Sequence, residues 1–240
     1  MAVLLAFSQK RRRMSIAQVS HRTGVSRAAV RRCLHTLACI GFVGVDEGNR
    51  FYLRPKILSL GEAYLSATPL TLVGQPILDR LSDELQESCS LGVLDGDEVV
   101  YVARSISSRI LSTTLNIGRR MPSYCSAIGR AVLGTWTPQA LDPYLARITP
   151  YPFTRHTITS KDALRQVFAN AARTGYAIAD EQMEPGFCTM AVPARDSAGA
   201  VVGGINVVLR AGRVPVRGMP ARYLGALQHA ANELERVLHS

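Results

Sequence analysis

Between Ala2 and Ile40 the apolar positions recur at helical spacing. Residues 2–7 (AVLLAF) predict a short buried helix, and 9–13 a basic loop behind it. Ser15 is a good N-cap for a helix over 16–22, because its side-chain oxygen can accept from a first-turn N–H that has no intrahelical partner. Thr23-Gly24-Val25 interrupts the pattern, and Ser26 opens a second helix running to Ile40. Within it Val30, Leu34 and Leu37 share one face by their spacings of four and three, so they pack inward. The opposite face carries Arg27, Ala28, Arg31, Arg32 and His35. Two apolar segments, 41–45 and 50–54, then flank Asp46-Glu-Gly-Asn49 and read as a β-hairpin. Helix, glycine turn, helix and hairpin follow the order of a winged helix-turn-helix.

Pro55 ends the hairpin. Residues 56–67 predict a helix with Ile57, Leu60, Tyr64 and Leu65 on one side, a stripe fit for either a core or a contact between copies, and Pro69 is expected to stop it. A further helix is expected over about 72–86. From Ser88 the period becomes two: strands over 89–94 and 98–104 around Asp95-Gly-Asp97, and a third over 110–116. Helices are expected at 127–136, at 138–146 behind Thr137 and Pro138, and from Ser160 to before Gly175. Strands at 176–180, 190–195 and 201–209 and a closing helix at 220–238 complete an α+β pattern with an antiparallel sheet.

Composition adds a location for charge. The 240 residues are 47% apolar, enough for a proper core, and carry a formal net charge of +10. Residues 1–68 hold eleven Lys/Arg against three acids, whereas the remaining 172 residues hold seventeen against fifteen. The positive field therefore belongs to the N-terminal quarter, the footprint of a nucleic-acid-binding module. With the helix-turn-helix order it points to double-stranded promoter DNA read by Ser26, Arg27, Ala28, Arg31, Arg32, His35 and the hairpin's Arg50, arginine forks suiting guanine edges and phosphates. The rival readings are a solvated basic face, an architectural DNA-binding protein without a ligand, and a small-molecule-binding protein or enzyme docking through its basic segment.

Other chemistries find little footing. The five cysteines (33, 39, 89, 125, 188) and five histidines lack metal-ligand or triad spacing, so no cofactor, structural metal or enzymatic role is expected. Cys188, beside Thr189, raises a redox reading that a lone cysteine supports weakly. The longest apolar run, 63–78, is broken by Ser66, Thr68, Pro69, Gln75 and Pro76. No leader pattern precedes it, and a reduced, cytoplasmic protein is expected.

Several strings resemble the IclR family of bacterial regulators over nearly the whole chain: Thr23-Gly-Val-Ser-Arg-Ala-Ala-Val-Arg-Arg, Leu58-Ser-Leu-Gly61, Ser123-Tyr-Cys-Ser-Ala-Ile-Gly-Arg-Ala131, Gly175-Tyr-Ala-Ile-Ala-Asp-Glu181 and Pro193-Ala-Arg-Asp196. The LDGDEVVYVAR hairpin, Ser108-Arg-Ile110 and Gly204-Ile-Asn-Val207 resemble the branch containing the PcaR and PobR regulators of aromatic-acid catabolism. The resemblance implies a winged helix-turn-helix over 1–54, a linker helix over 55–70 and a GAF-like α/β effector-binding domain over 71–240. It also implies a homodimer, possible pairing of dimers, and a transcriptional response to a small carboxylate. The chain departs from the family's pattern at its start, where the extended lead-in before the first helix is missing; a start downstream of the usual one is expected.

Carried over position by position, the effector pocket would be lined by Ala127 and Ile128 through backbone N–H groups, and by Ala179, Thr189, Asn206 and Val208. Relatives that bind glyoxylate-like acids have polar side chains at several of these positions, so apolar Ala179 and Val208 favour a ring. The expected ligand is an aromatic acid or a β-ketoadipate-route metabolite. Arg104 and Arg109 are candidate carboxylate clamps, the alternative for each being solvated surface or an ion pair with Asp180 or Glu181. Tyr124 is a candidate for stacking on a ring or bonding its hydroxyl.

Overall fold

The structure, a computed structural model, describes residues 1–8, 11–107 and 116–239. It divides into two compact units, Met1–Tyr64 and Leu65–Ser240.

In the first unit a short α1 (Ala2–Leu5) precedes α2 (Ile16–Thr23) and α3 (Arg27–Cys39). Ser15 caps α2 through a full capping box: its hydroxyl accepts from the Gln18 N–H, and the Gln18 side chain accepts from the Ser15 N–H. Gly24 ends α2 at φ 69°, the left-handed conformation that glycine adopts without a Cβ penalty. Ser26 caps α3 through the Ala29 N–H. The hairpin is β1 (Val43–Val45) paired antiparallel with β2 (Phe51–Leu53). Val30 and Leu34 of α3 are fully buried with Val19, Val43 and Phe51, so the apolar stripe faces the core as its spacing requires.

α4 (Leu58–Ala67) buries none of its residues, and Leu58, Leu60 and Tyr64 are half-exposed or more. Pro69 does not merely stop it. It occupies the first turn of α5 (Pro69–Leu85), three residues earlier than the pattern suggests, because a proline there lacks only an N–H that would be unbonded anyway.

The second unit centres on a six-stranded antiparallel sheet of β3 (Ser88–Asp95), β4 (Glu98–Ser105), β5 (Arg120–Pro122), β6 (Ala177–Asp180), β7 (Phe187–Arg195) and β8 (Val201–Arg210). Their spatial order is β5-β4-β3-β8-β7-β6. The third expected strand, 110–116, lies outside the described residues apart from Asn116; β5 falls further on, where the three residues are too few for a period to register. Three helices, α6 (Ala127–Leu133), α7 (Pro138–Arg147) and α8 (Lys161–Thr174), lie between β5 and β6, and α9 (Met219–Val237) closes the chain.

The two sheet faces differ in side-chain size. Leu91, Met190, Val192, Ile205, Val207 and Leu209 pack against α5 and α9 in the larger core. On the other face the alternate positions are Ser90, Gly92, Ala177, Ala179, Thr189, Ala191, Gly204, Asn206 and Val208. Small residues let α6 lie close: a Cβ on Gly92 or Gly204 would meet Ile128 at 3.1 Å. Leu133, Tyr144, Leu164 and Phe168 bury the outer side of this layer between α6, α7 and α8.

Candidate functional site

All seven residues predicted to read DNA are solvent-exposed on the first unit. Ala28 and Arg32 lie directly opposite Val30 and Leu34 on α3, with Arg27 and Arg31 on the flank toward α2. His35 is less free than its position suggests, since its ring meets Phe51 edge-to-face at 6.0 Å. A groove beside Arg27 adds residues the sequence reading did not single out, Arg11, Arg13, His21 and Arg22. Arg13 also bonds Asp46 at 2.9 Å and lies over the Tyr52 ring, tying this groove to the hairpin that carries Arg50. Asp46 braces the hairpin turn by accepting the Arg50 and Gly48 N–H groups, bonds that hold its pKa below the usual carboxylate range.

In the second unit a cavity opens between α6 and the small-residue sheet face. It holds about 550 Å³ including its mouth and forms a narrow slot. Ala127, Ile128, Ala179, Thr189, Asn206 and Val208 all line it. So do Tyr101, Met121, Phe187, Met183, Gln182, Ser126 and Cys125, with Arg119 and Glu184 as the charged members among the described residues. Met121, Met183 and Phe187 supply apolar walls. The Ser126 hydroxyl accepts from the Gly129 N–H, and the amides of Ala127 and Ile128 belong to the same first turn, where no intrahelical acceptor exists.

Three predicted pocket residues do not line this slot. Arg109 lies outside the described residues. Tyr124 packs behind α6 with Leu133 and Tyr144, and its hydroxyl both donates to the Tyr151 carbonyl and accepts from the Tyr151 N–H, so it is a loop anchor. Arg104 is buried on the same sheet face as the register partner of Ser90, with its guanidinium 5.9 Å from the Tyr101 ring centre. Burial lowers its pKa, and the nearby Arg119 charge adds to that. Asp180 accepts from the Cys188 thiol, and Glu181 from the Gly186 N–H. Burial and the Asp180 contact push the Cys188 thiol up to about 12, which leaves it protonated and unsuited to redox work at neutral pH.

A buried cation holds the layer together. Arg130 of α6 donates to the carbonyls of Tyr124 and Ile178 and to Gln182 Oε1, at 2.8, 3.1 and 2.6 Å. Gln182 also accepts from the Ile158 N–H, so the pocket's rim is joined to both α6 and the 154–158 loop. Among the described residues no three His, Cys, Asp or Glu converge as a metal site, and no helix is long and apolar enough to cross a membrane.

The two units match two family models: the IclR helix-turn-helix domain over residues 1–47, and the C-terminal domain of bacterial IclR transcriptional regulators over 62–236. The chain is 40% identical over 235 residues to the Pca regulon regulatory protein of Pseudomonas putida, covering 98% of this chain and 80% of that protein. It is 32% identical to the p-hydroxybenzoate hydroxylase transcriptional activator of Acinetobacter baylyi, covering 99% and 89%. A crystal structure of a transcriptional regulator from Rhodococcus sp. RHA1 superposes with a TM-score of 0.85 at 34% identity, over 99% of this chain and 95% of that one. With a winged helix-turn-helix in front and an α+β effector domain behind, the chain belongs to the IclR family of DNA-binding transcriptional regulators, which are not enzymes, and within it resembles the Pca and p-hydroxybenzoate regulators.

Proposed function

We propose that this regulator binds a pseudo-palindromic promoter site as a homodimer, or as paired dimers, and that a small carboxylate, an aromatic acid or a β-ketoadipate-route metabolite, sets its activity. Ser26, Arg27, Ala28, Arg31, Arg32, His35 and Arg50 contact DNA. The slot under α6 takes the effector, with Ala127, Ile128, Ala179, Thr189, Asn206 and Val208 around it. The observation that carries the reading is the slot itself: a narrow space with Met and Phe walls and with Arg119 and Glu184 at its lining matches a small, largely apolar molecule with polar ends. The names of the two curated relatives point to the same chemistry. The exposed apolar side of α4 supports self-association, since Leu58, Leu60 and Tyr64 are otherwise left in water.

The test uses fluorescence anisotropy on the promoter fragment upstream of the chain's own gene, with and without a panel of aromatic and aliphatic carboxylates. Arg32→Ala is expected to cost ~1–3 kcal/mol on that fragment and little on scrambled DNA, whereas Arg22→Ala weakens both alike and flattens the salt dependence. Equal affinity of the unaltered protein for promoter and scrambled DNA would refute the sequence-specific reading.

A further inference from the structure

We propose that Tyr101 and Asn206, with Ser90 beside them in the sheet, form a polar subsite of the slot that reads a neutral hydroxyl on the ligand. The inference deepens the effector reading above and rests on it. An apolar core has no use for these three side chains, yet Tyr101 is 3% exposed, Asn206 2% and Ser90 0%. They stand together because β3 pairs with both β4 and β8: Ser90 is the register partner of Asn206, and Gly92 of Tyr101.

The hydrogen bonds within the cluster leave a specific vacancy in its bonding. Asn206 Nδ2 donates to the Tyr101 hydroxyl at 3.1 Å, which orients the amide. Asn206 Oδ1 is buried without a hydrogen-bond partner, and Asn206 lines the slot. Buried polar atoms are nearly always satisfied, so an acceptor held in this way is matched to a donor brought from outside. A ligand carboxylate is an acceptor only and cannot serve Asn206 Oδ1, whereas a hydroxyl donates to it and accepts in return. A ring bearing a carboxylate and a hydroxyl at separate positions meets both needs. Arg104 stands beside Ser90 on the same face, which makes a second carboxylate the rival occupant.

The experiment is isothermal titration calorimetry of the full chain with 4-hydroxybenzoate, 3-hydroxybenzoate, benzoate and adipate. At least one hydroxybenzoate is expected to bind tenfold or more tighter than benzoate. Asn206→Leu, similar in branching and without an acceptor, is expected to bring that ratio below threefold, with a cooperative melting transition like the parent's showing that the variant is folded. Tyr101→Phe is expected to lower the ratio in part. Benzoate binding as tightly as both hydroxybenzoates, a preference that survives Asn206→Leu, or adipate binding tightest would each overturn the subsite while leaving a carboxylate effector standing. Binding of none of the four overturns the subsite and the effector reading together.

Discussion

Two glycines in helices of the same unit predict opposite effects for one substitution. A Cβ built on Gly129 of α6 would lie 2.2 Å from the Ser123 carbonyl oxygen and 2.4 Å from its Cα. Ordinary contact needs about 3.5 Å, so the two backbones must part by roughly 1 Å. Ser123 cannot retreat freely, because its N–H and hydroxyl both donate to the Asp97 carbonyl, at 3.0 and 2.8 Å. Its Oγ also lies 2.7 Å from the buried Tyr144 hydroxyl. Overpacking costs ~1–3 kcal/mol, the upper end applying where backbone meets backbone as here, against which alanine gains about 1 kcal/mol over glycine in helix propensity. Gly225 of α9 has nothing within 4 Å of its built Cβ and is exposed, so there only the gain applies. Gly129→Ala is expected to lower the melting temperature by ~4–8 °C, for a net loss of about 2 kcal/mol, and Gly225→Ala to raise it by ~2–4 °C. The single tryptophan, Trp136, meets Tyr144 edge-to-face at 6.1 Å beside α6, so its fluorescence follows the unfolding of this layer. A Gly129→Ala protein that melts at or above the parent temperature would refute the argument that α6 is seated by backbone contact, and with it the placement of Ala127 and Ile128 against the slot.

Of the five cysteines only Cys33 and Cys39 are exposed, so Ellman's reagent should titrate two thiols quickly in native protein and five after unfolding. Burial raises the Cys89 thiol and pushes Cys125 and Cys188 up to about 12, while in the unfolded chain thiols ionise near ~8.5. The stability tied to these neutral thiols is therefore fully present below about pH 8.5 and falls as pH rises toward 12; a urea midpoint that does not drop between neutral pH and ~10.5 would contradict this. Ser15→Ala removes one half of the capping box and should destabilise α2 by about 1 kcal/mol, seen as roughly fivefold faster amide exchange in α2.

Much of the chain was legible because its signals are local. Ser15, Ser26, Thr137 and Ser160 each cap the helix expected behind them, since a cap needs only the next three residues to act. Gly24 could be read as the helix-turn-helix corner for the same reason. The charge asymmetry needed no structure at all. The small-residue phase of β3, β7 and β8 was also present in the sequence as alternation of Ser, Gly, Ala, Thr and Asn with larger residues, and would have pointed to a helix or a ligand lying close on that face.

Other features depended on how distant segments met. A bulge at Leu91/Gly92 pairs Leu91 with Ala103 and Gly92 with Tyr101, leaving Val102 over. It reverses the facing of β4 beyond that point, so Tyr101 and Arg104 share a face that simple alternation would have separated. Tyr124 was expected at the ligand because its string is part of the family resemblance, but the backbone before α6 turns its ring outward to Tyr151. Local sequence thus determined most helix starts, the main turns and the basic face, because caps, turns and periodicity act within a few residues. Which strands lie side by side, and so which of Tyr101, Ser90, Arg119, Gln182 and Asn206 meet around one slot, was decided only by burial of whole faces against α5, α9 and α6, which no short stretch of the chain contains.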